Sequence, residues 1–339
     1  MDTPAATPWI HGERHQSVAV FRALQLGDML CAVPALRALR SQLPQARIVL
    51  VGLPWAEQFA ARFHHYLDDF IAFPGHAAFP EQPVQQHRLA DFYSTMRARR
   101  FDLALQLHGS GEQSNLVTRA FGARTMAGFG DDKTAGTEAF FPYPEAGAEP
   151  IRLLGLLHQL GAQATSTDLE FPITDDDERE LAASGLSSGL APYRYVCIHP
   201  GARWRDKCWH PARFAQVADH LADEFKVQVV LTGSASEGEL TGAVKRLMRN
   251  TAIDAAAPIS IGAMAALMSR SRLLISNDTG VSHIAAGLRL DSVVIFSKAD
   301  IRRWAPLDAE RHRCLWDPEG QRVAEVLDHA RTLLRQRPH

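Results

Sequence analysis

Val18-Ala-Val-Phe-Arg-Ala-Leu-Gln-Leu-Gly-Asp28 and Arg47-Ile-Val-Leu-Val-Gly52 decide the fold. Each opens on a short apolar run of the kind that fills a buried strand. Between them, Met29 to Gln42 groups Leu30, Val33, Leu36, Ala38 and Leu39 on one helical face. Pro34 is tolerable only in the first turns of that helix, and Pro44 ends it. Strand, helix and strand within about 35 residues make a βαβ unit, and such units impose a parallel sheet.

The pattern extends outward from there. Asp69 to Phe73 reads as a strand, Leu89 to Arg99 as a helix, and Asp102 to Leu107 as a buried strand opening into His108-Gly-Ser-Gly111. Ser114 to Phe121 is helical and Thr125 to Phe129 a short strand. Residues 130–150, rich in Gly, Pro, Asp and Thr, read as a loop before a helix from Pro150. A second cycle begins at Tyr195-Val-Cys-Ile-His-Pro-Gly201. It continues through a helix at Pro211–Phe225, a strand at Val227–Gly233, a helix at Glu237–Asn250 and a short helix at Ile261–Ser269. A strand at Arg272–Asp278, a helix at Val281–Leu288, a strand at Ser292–Ser297 and a last amphipathic helix at Glu319–Gln336 complete it. The change of character after Asp168, with Asp175-Asp-Asp177 and Ser184-Gly-Leu-Ser-Ser-Gly189, places the domain boundary near residues 180–192. The expected fold class is α/β, with two Rossmann-like domains facing across a cleft.

Length and composition agree with two ordinary soluble domains. The chain has 339 residues, 46% hydrophobic and 22% charged. Lys plus Arg number 36 against 38 for Asp plus Glu, a net charge of −2, so bulk charge does not hold this protein on nucleic acid. No apolar run reaches the ~18–20 residues of a membrane span. Met1 to Gln16 is polar and lacks the apolar region of a secretory signal. Cys31, Cys197, Cys208 and Cys314 are widely spaced and read as reduced thiols. A cytoplasmic protein is expected.

Five stretches carry candidate chemistry. Gly27-Asp28 ends the first strand-to-helix turn, where Asp28 could serve as a general base or cap the following helix; the two readings stand level. His199-Pro-Gly-Ala-Arg-Trp-Arg-Asp-Lys-Cys-Trp209 offers Gly201 for close backbone approach, and Lys207 with Arg203 or Arg205 for a diphosphate. The rival reading is a solvated loop with Trp204 and Trp209 packed on a domain edge. Asn277-Asp-Thr-Gly280 runs from a strand into a helix whose first amides suit a phosphate, unless Asp278 or Thr279 caps it. His283, one turn in, is by type more often a packing residue. Gly233-Ser-Ala-Ser-Glu237 puts a carboxylate where ribose hydroxyls bind, with Glu239 a rival better read as a first-turn acid. Gln106 to Asn115, including His108 and Ser110, suits a polyhydroxyl acceptor or a plain turn. There is no GxGxxG, HExxH or DxD signature at a strand end, so no cofactor and no metal is expected.

Three of these stretches resemble one family. Arg22-x-x-x-Leu-Gly-Asp28 followed by Pro34-Ala-Leu-Arg-Ala-Leu39, His199-Pro-Gly-Ala-x-Trp-x-x-Lys207-x-Trp209 and Asp278-Thr-Gly-Val-Ser-His283-x-Ala-Ala look like the motifs of glycosyltransferase family 9, the lipopolysaccharide heptosyltransferases. The resemblance spans residues 18 to about 310 in order and spacing. It implies a GT-B fold and an inverting, metal-free transfer, usually from ADP-L-glycero-D-manno-heptose, onto a lipid-linked or glycan acceptor. It implies an acceptor-side domain at residues 1–185 with Arg22, Gly27, His108 and Ser110. It implies a donor domain at 192–318 and a C-terminal helix, 319–339, that could pack back on the first domain. Asp28 matches the family's base, Lys207 its diphosphate lysine, and Asp278, Thr279 and Gly280 its donor turn. Gly201 and His283 stand in the same motifs, and Glu237 fits the ribose carboxylate. Ser297-Lys-Ala-Asp-Ile-Arg-Arg-Trp304 departs from the family's Gly-Pro-Thr-Asp-Pro run, and Ala23-Leu-Gln25 from its Ser-rich stretch; both leave the donor and acceptor open. The rivals are a transferase using another nucleotide sugar, a nucleotide-sugar epimerase and a non-catalytic scaffold. Arg97, Arg99 and Arg100 ahead of Phe101 could hold the first domain on anionic lipid, or form a solvated helix end.

Overall fold

A computed structural model describes residues 9–131, 133–135, 137–163 and 166–336. The first eight residues of the polar opening stretch and the last three of the chain lie outside it. The chain divides into two units, Met1–Thr167 and Asp168–His339.

The first unit has the strands β1 (Ser17–Phe21), β2 (Arg47–Gly52), β3 (Asp69–Ala72), β4 (Leu103–Gln106), β5 (Thr125–Phe129), β6 (Lys133–Ala135) and β7 (Glu138–Phe141). Its helices are α1 (Leu26–Cys31), α2 (Val33–Gln42), α3 (Ala56–Arg62), α4 (Gln86–Ala98), α5 (Ser114–Arg119) and α6 (Glu149–Gln159). The sheet order is β3-β2-β1-β4-β5-β7-β6, parallel except for β6. Chain order reverses at β1, which pairs with β2 on one side and β4 on the other. The carboxyl ends of β1 and β4 are therefore where an open α/β sheet receives its ligand. Phe21 on β1 packs with Phe73, Phe92, Phe101 and Phe121 in the core beneath.

The second unit begins with α7 (Asp175–Ser184) and has strands β8 (Tyr195–His199), β9 (Gln228–Gly233), β10 (Ala252–Ala256), β11 (Leu274–Asn277), β12 (Ser292–Phe296) and β13 (His312–Trp316). Helices α8 (Pro211–Phe225), α9 (Gly238–Leu247), α10 (Ile261–Ser269), α11 (Gly280–Gly287), α12 (Ile301–Trp304) and α13 (Val323–Gln336) complete it. All strands are parallel in the order β10-β9-β8-β11-β12-β13, the arrangement of a dinucleotide-binding fold, with the reversal between β8 and β11.

Several expectations are corrected. The boundary falls at Thr167, ahead of residues 180–192, because α7 packs on α10 of the second unit. The acidic run Asp175-Asp-Asp177 does begin a helix, as its composition suggests: it is the first turn of α7, closed by a capping box between Thr174 and Asp177. The single helix from Met29 to Gln42 is two, broken at Ala32, since Pro34 can sit only in a first turn and so starts α2. The stretch 130–150 contains β6 and β7, where Ala139 and Phe140 are buried. β10 and β13 escape a reading by apolar runs because Asp254 and Arg313 interrupt them. The C-terminal helix turns Val323, Val326, Leu327, Ala330, Leu333 and Leu334 into the second unit's own core, beside Phe214, Val293 and Ile295. At about 1.5–3 kcal/mol for each large aliphatic side chain fully buried, that stripe fixes the helix on the second unit.

Candidate active site

In the first unit, the site is built around a buried guanidinium. Arg22 follows β1 directly and is 1% exposed. Its Nε and Nη2 donate to the backbone carbonyl of Asp28 at 3.0 and 2.8 Å. Nη1 donates to the carbonyl of Leu107, just past β4, and Nη2 lies 3.2 Å from Glu149 Oε1, which is equally buried. A buried charge needs such a partner, and Glu149 at the start of α6 supplies it. The side chain thus ties the turn after β1 to the turn after β4.

Asp28 is half-buried in the first turn of α1; the N-cap position belongs to Gln25. Gly27 lies beside it in the same turn. His108 is buried and stacks on Phe21 at 5.1 Å. Its Nδ1 accepts from the amide of Ala23 at 3.1 Å, which leaves the proton on Nε2. Burial, with Arg22 close by, lowers its pKa to about 3, so the ring is neutral. Ser110 is exposed in the next loop. Gln106 and Ser114 brace that loop: Gln106 Nε2 donates to Ser114 Oγ (2.7 Å), and Ser114 Oγ to the carbonyl of His108 (2.6 Å).

In the second unit, the carboxyl ends of β8, β9 and β11 bring two pairs together. A Cβ on Gly201 would lie 1.8 Å from Glu237 Oε1, so a larger residue there would push that carboxylate aside. Glu237 Oε2 accepts from the amide and hydroxyl of Ser234 at 2.7 and 2.8 Å, which fixes its orientation. Glu239, one residue into α9, is exposed and apart from this group. Lys207 Nζ lies 3.4 Å from Asp278 Oδ2, with both side chains partly open to solvent. Thr279 is the N-cap of α11 yet makes no side-chain capping bond, so its side chain does not occupy the terminus that Gly280 opens. A cavity of about 680 Å³ opens beside Lys207, lined also by Trp209, His210, Ser297 and Asp317.

The residue that binds these pieces together is Asn277, fully buried at the end of β11. Its Oδ1 accepts from the amide of Trp209 at 2.9 Å, and its Nδ2 donates to the carbonyl of Pro200 at 2.8 Å. Trp209 Nε1 in turn donates to Asp317 Oδ2 at 2.9 Å. The sequence signal for this role is an Asn closing an apolar strand, where burial demands partners at both ends of the amide. Glu149 was missed outright, since nothing local in the sequence marks it as the partner of Arg22. Trp209 is buried, whereas Trp204 is 58% exposed, with the guanidinium of Arg203 stacked over it at 5.3 Å.

His283 is buried on α11, and burial lowers its pKa to about 4. The ring is therefore neutral near pH 7. Arg99 is tied to Asp69 at 2.9 Å, so one of the three arginines before Phe101 serves an ion pair. All four cysteines are free. Among the described residues, no group of three or more His, Cys, Asp or Glu side chains is placed to hold a metal ion, and no helix is long and apolar enough to cross a membrane.

Two doubly wound units, each built on a mainly parallel sheet, have the architecture of the GT-B fold. The family model for glycosyltransferase family 9 (heptosyltransferase) matches residues 89–328, and the chain belongs to that family. It is a glycosyltransferase. Lipopolysaccharide heptosyltransferase 2 of Escherichia coli is 25% identical over 287 residues, 80% of each chain. The solved structure of a family 9 glycosyl transferase from Veillonella parvula has a TM-score of 0.79 at 20% identity, covering 95% of this chain and 98% of that one. That of the E. coli ADP-heptose lipopolysaccharide heptosyltransferase II has a TM-score of 0.72 at 20% identity, covering 94% and 99%.

Proposed function

We propose that this enzyme is an inverting, metal-independent heptosyltransferase that moves heptose from ADP-heptose onto a lipopolysaccharide or related lipid-linked glycan. The observation that carries the donor side is Lys207 beside Asp278, at the start of α11, where Thr279 makes no side-chain capping bond. A nucleoside diphosphate adds the negative charge that both the lysine and the helix terminus favour. Gly201 lets the donor approach the backbone, and Glu237, already oriented by Ser234, accepts ribose hydroxyls. The names of similar proteins point to ADP-heptose as the donor.

The first unit supplies the base. Asp28 takes the proton of the acceptor hydroxyl as that oxygen attacks the anomeric carbon. The bond to the diphosphate breaks on the opposite face, its negative charge stabilised by Lys207 and the helix terminus, and the anomeric centre inverts. The enzyme works in the cytoplasm, at the inner face of the membrane that carries its acceptor; Arg97 and Arg100, both exposed, favour such contact.

A mass-spectrometric screen of nucleotide sugars, with and without a lipid A–Kdo acceptor, tests this. Product from ADP-heptose only when acceptor is present supports the reading. Free or epimerised sugar without acceptor would establish an epimerase instead, and turnover of a different donor would reassign the nucleotide sugar.

A further inference from the structure

We propose that the cavity at the carboxyl ends of β4 and β5 is a glycan site that takes an uncharged, polyhydroxylated sugar unit and turns away a phosphorylated one. The cavity encloses about 770 Å³, inside the range of about 300–1,000 Å³ typical of small-molecule sites. It lies where parallel strands present ligands, beside the loop that holds Ser110.

Its backbone is preformed. A Cβ on Gly111 would come within 2.0 Å of the carbonyl oxygen of Phe129, and one on Gly130 within 2.9 Å of Asn115 Nδ2. Asn115 Nδ2 donates to that same carbonyl of Phe129 at 2.8 Å, pinning the two loops to each other. No larger residue could replace either glycine without moving these walls, so little ordering is left for a ligand to impose.

The lining decides the ligand's charge. Among the described side chains it presents the carboxylates of Glu112, Asp131 and Glu138 against the single guanidinium of Arg119. That guanidinium is already committed, with Nε and Nη2 both donating to Glu138 Oε1 at 3.0 and 2.8 Å. Among the described side chains, a phosphate or sugar carboxylate entering here meets three carboxylates against one guanidinium that already shares its charge with Glu138. Hydroxyl groups, by contrast, donate to carboxylates readily. Leu116, 60% exposed, and the ring of Tyr143 offer apolar surface for the C–H face of a sugar.

Assignment of this cavity to the acceptor rests on the transferase reading above; its binding of neutral sugar does not. The test is saturation-transfer NMR on the full chain with methyl α-D-mannopyranoside and, separately, mannose 6-phosphate. The neutral glycoside should give signal and the phosphate ester none. Leu116→Arg should abolish the glycoside signal, and Glu112→Lys should raise signal from the phosphate ester. Both positions are exposed, and an unchanged melting temperature verifies the fold of each variant. Mannose 6-phosphate binding as well as the glycoside to the unaltered protein, absence of any glycoside signal, survival of that signal in Leu116→Arg, or no gain in Glu112→Lys would each overturn the proposal. ADP titrated by calorimetry in parallel separates the two readings. Loss of the sugar site with ADP still bound leaves the transferase intact, and sugar binding without ADP binding leaves the site but not its role.

Discussion

Arg22 holds Asp28 by the backbone: its Nε and Nη2 both reach the carbonyl oxygen of Asp28, at 3.0 and 2.8 Å, while Nη2 also faces Glu149. That contact is to the backbone, so it fixes the turn that carries the Asp28 side chain. Two substitutions separate the charge of Arg22 from its fork. Arg22→Leu takes the guanidinium from the buried Glu149 carboxylate, a change that costs about 3–5 kcal/mol; denaturant unfolding should show it. Arg22→Lys keeps a cation near Glu149 but cannot reproduce the paired N–H bonds. It should fold, and its kcat should fall while the donor KM stays put. Unaltered kcat in Arg22→Lys would show that the fork does not position Asp28.

Asn277 plays the matching part in the second unit. Asn277→Ala leaves the amide of Trp209 and the carbonyl of Pro200 without their partner. An orphaned buried group costs about 1–3 kcal/mol, so the melting temperature should drop by several degrees. ADP affinity, measured by calorimetry, should weaken with it, because both the Pro200–Gly201 turn and the Lys207 loop lose their tether. A stable variant with unaltered ADP affinity would mean that these loops hold themselves.

The divide between what the sequence disclosed and what it hid follows the range of the interactions. Val18–Phe21, Ile48–Val51 and Tyr195–Ile198 are continuous apolar runs, legible because a strand buried on both faces has no polar position to fill. β10 and β13 carry Asp254 and Arg313 and lack that signature. Helix α13 was legible as a helix from its stripe, but a stripe does not name the surface it will cover. Gly201, Glu237 and Asp278 each sit within a few residues of a strand's carboxyl end, and Lys207 lies in the loop after β8, so the rule of strand ends singles them out. Glu149 lies 127 positions from Arg22, and only the folded chain brings the two together.

Lys207→Ala should weaken binding of ADP and of the nucleotide sugar, because a diphosphate loses its point charge. Asp278, now without its cation at 3.4 Å, would add repulsion at the same place. Calorimetry should show the loss, with kcat reduced as well, since charge develops on the leaving diphosphate. Unchanged ADP affinity would remove Lys207 from the donor site.

Acid should unfold the second unit through its buried histidines. Burial lowers both His283 and His312 to about 4 from an unfolded value of 6.5. Folded, they bind fewer protons than unfolded between those limits, so stability is full above about pH 6.5 and is lost as pH falls toward 4. Each contributes a slope approaching 1.4 kcal/mol per pH unit, roughly the worth of one pKa unit. Melting temperatures from pH 7.5 to 5 should fall, and His283→Asn should flatten the decline. A flat profile in the unaltered protein would place the imidazoles in contact with water.

The decisive substitution is Asp28→Asn. Asp28 lies in the first turn of α1 behind Gln25, the N-cap residue, and its backbone carbonyl receives Arg22. Asparagine preserves that carbonyl, the side-chain size and the local polarity, and loses only the negative charge. A first-turn carboxylate favours its helix through the dipole by about 0.3–1 kcal/mol, so the fold should survive with a small drop in melting temperature. A general base contributes ~10²–10⁴-fold to rate. If Asp28 takes the acceptor proton, turnover in Asp28→Asn should fall by about that factor, while ADP affinity, which resides in the second unit, is unmoved. The pH profile gives an independent check, because the acid limb of kcat/KM in the unaltered enzyme should report the carboxylate and should vanish from the residual activity of the variant. Turnover within a few-fold of normal, with the acid limb retained, would return Asp28 to a helix-dipole role and require another group to take the proton.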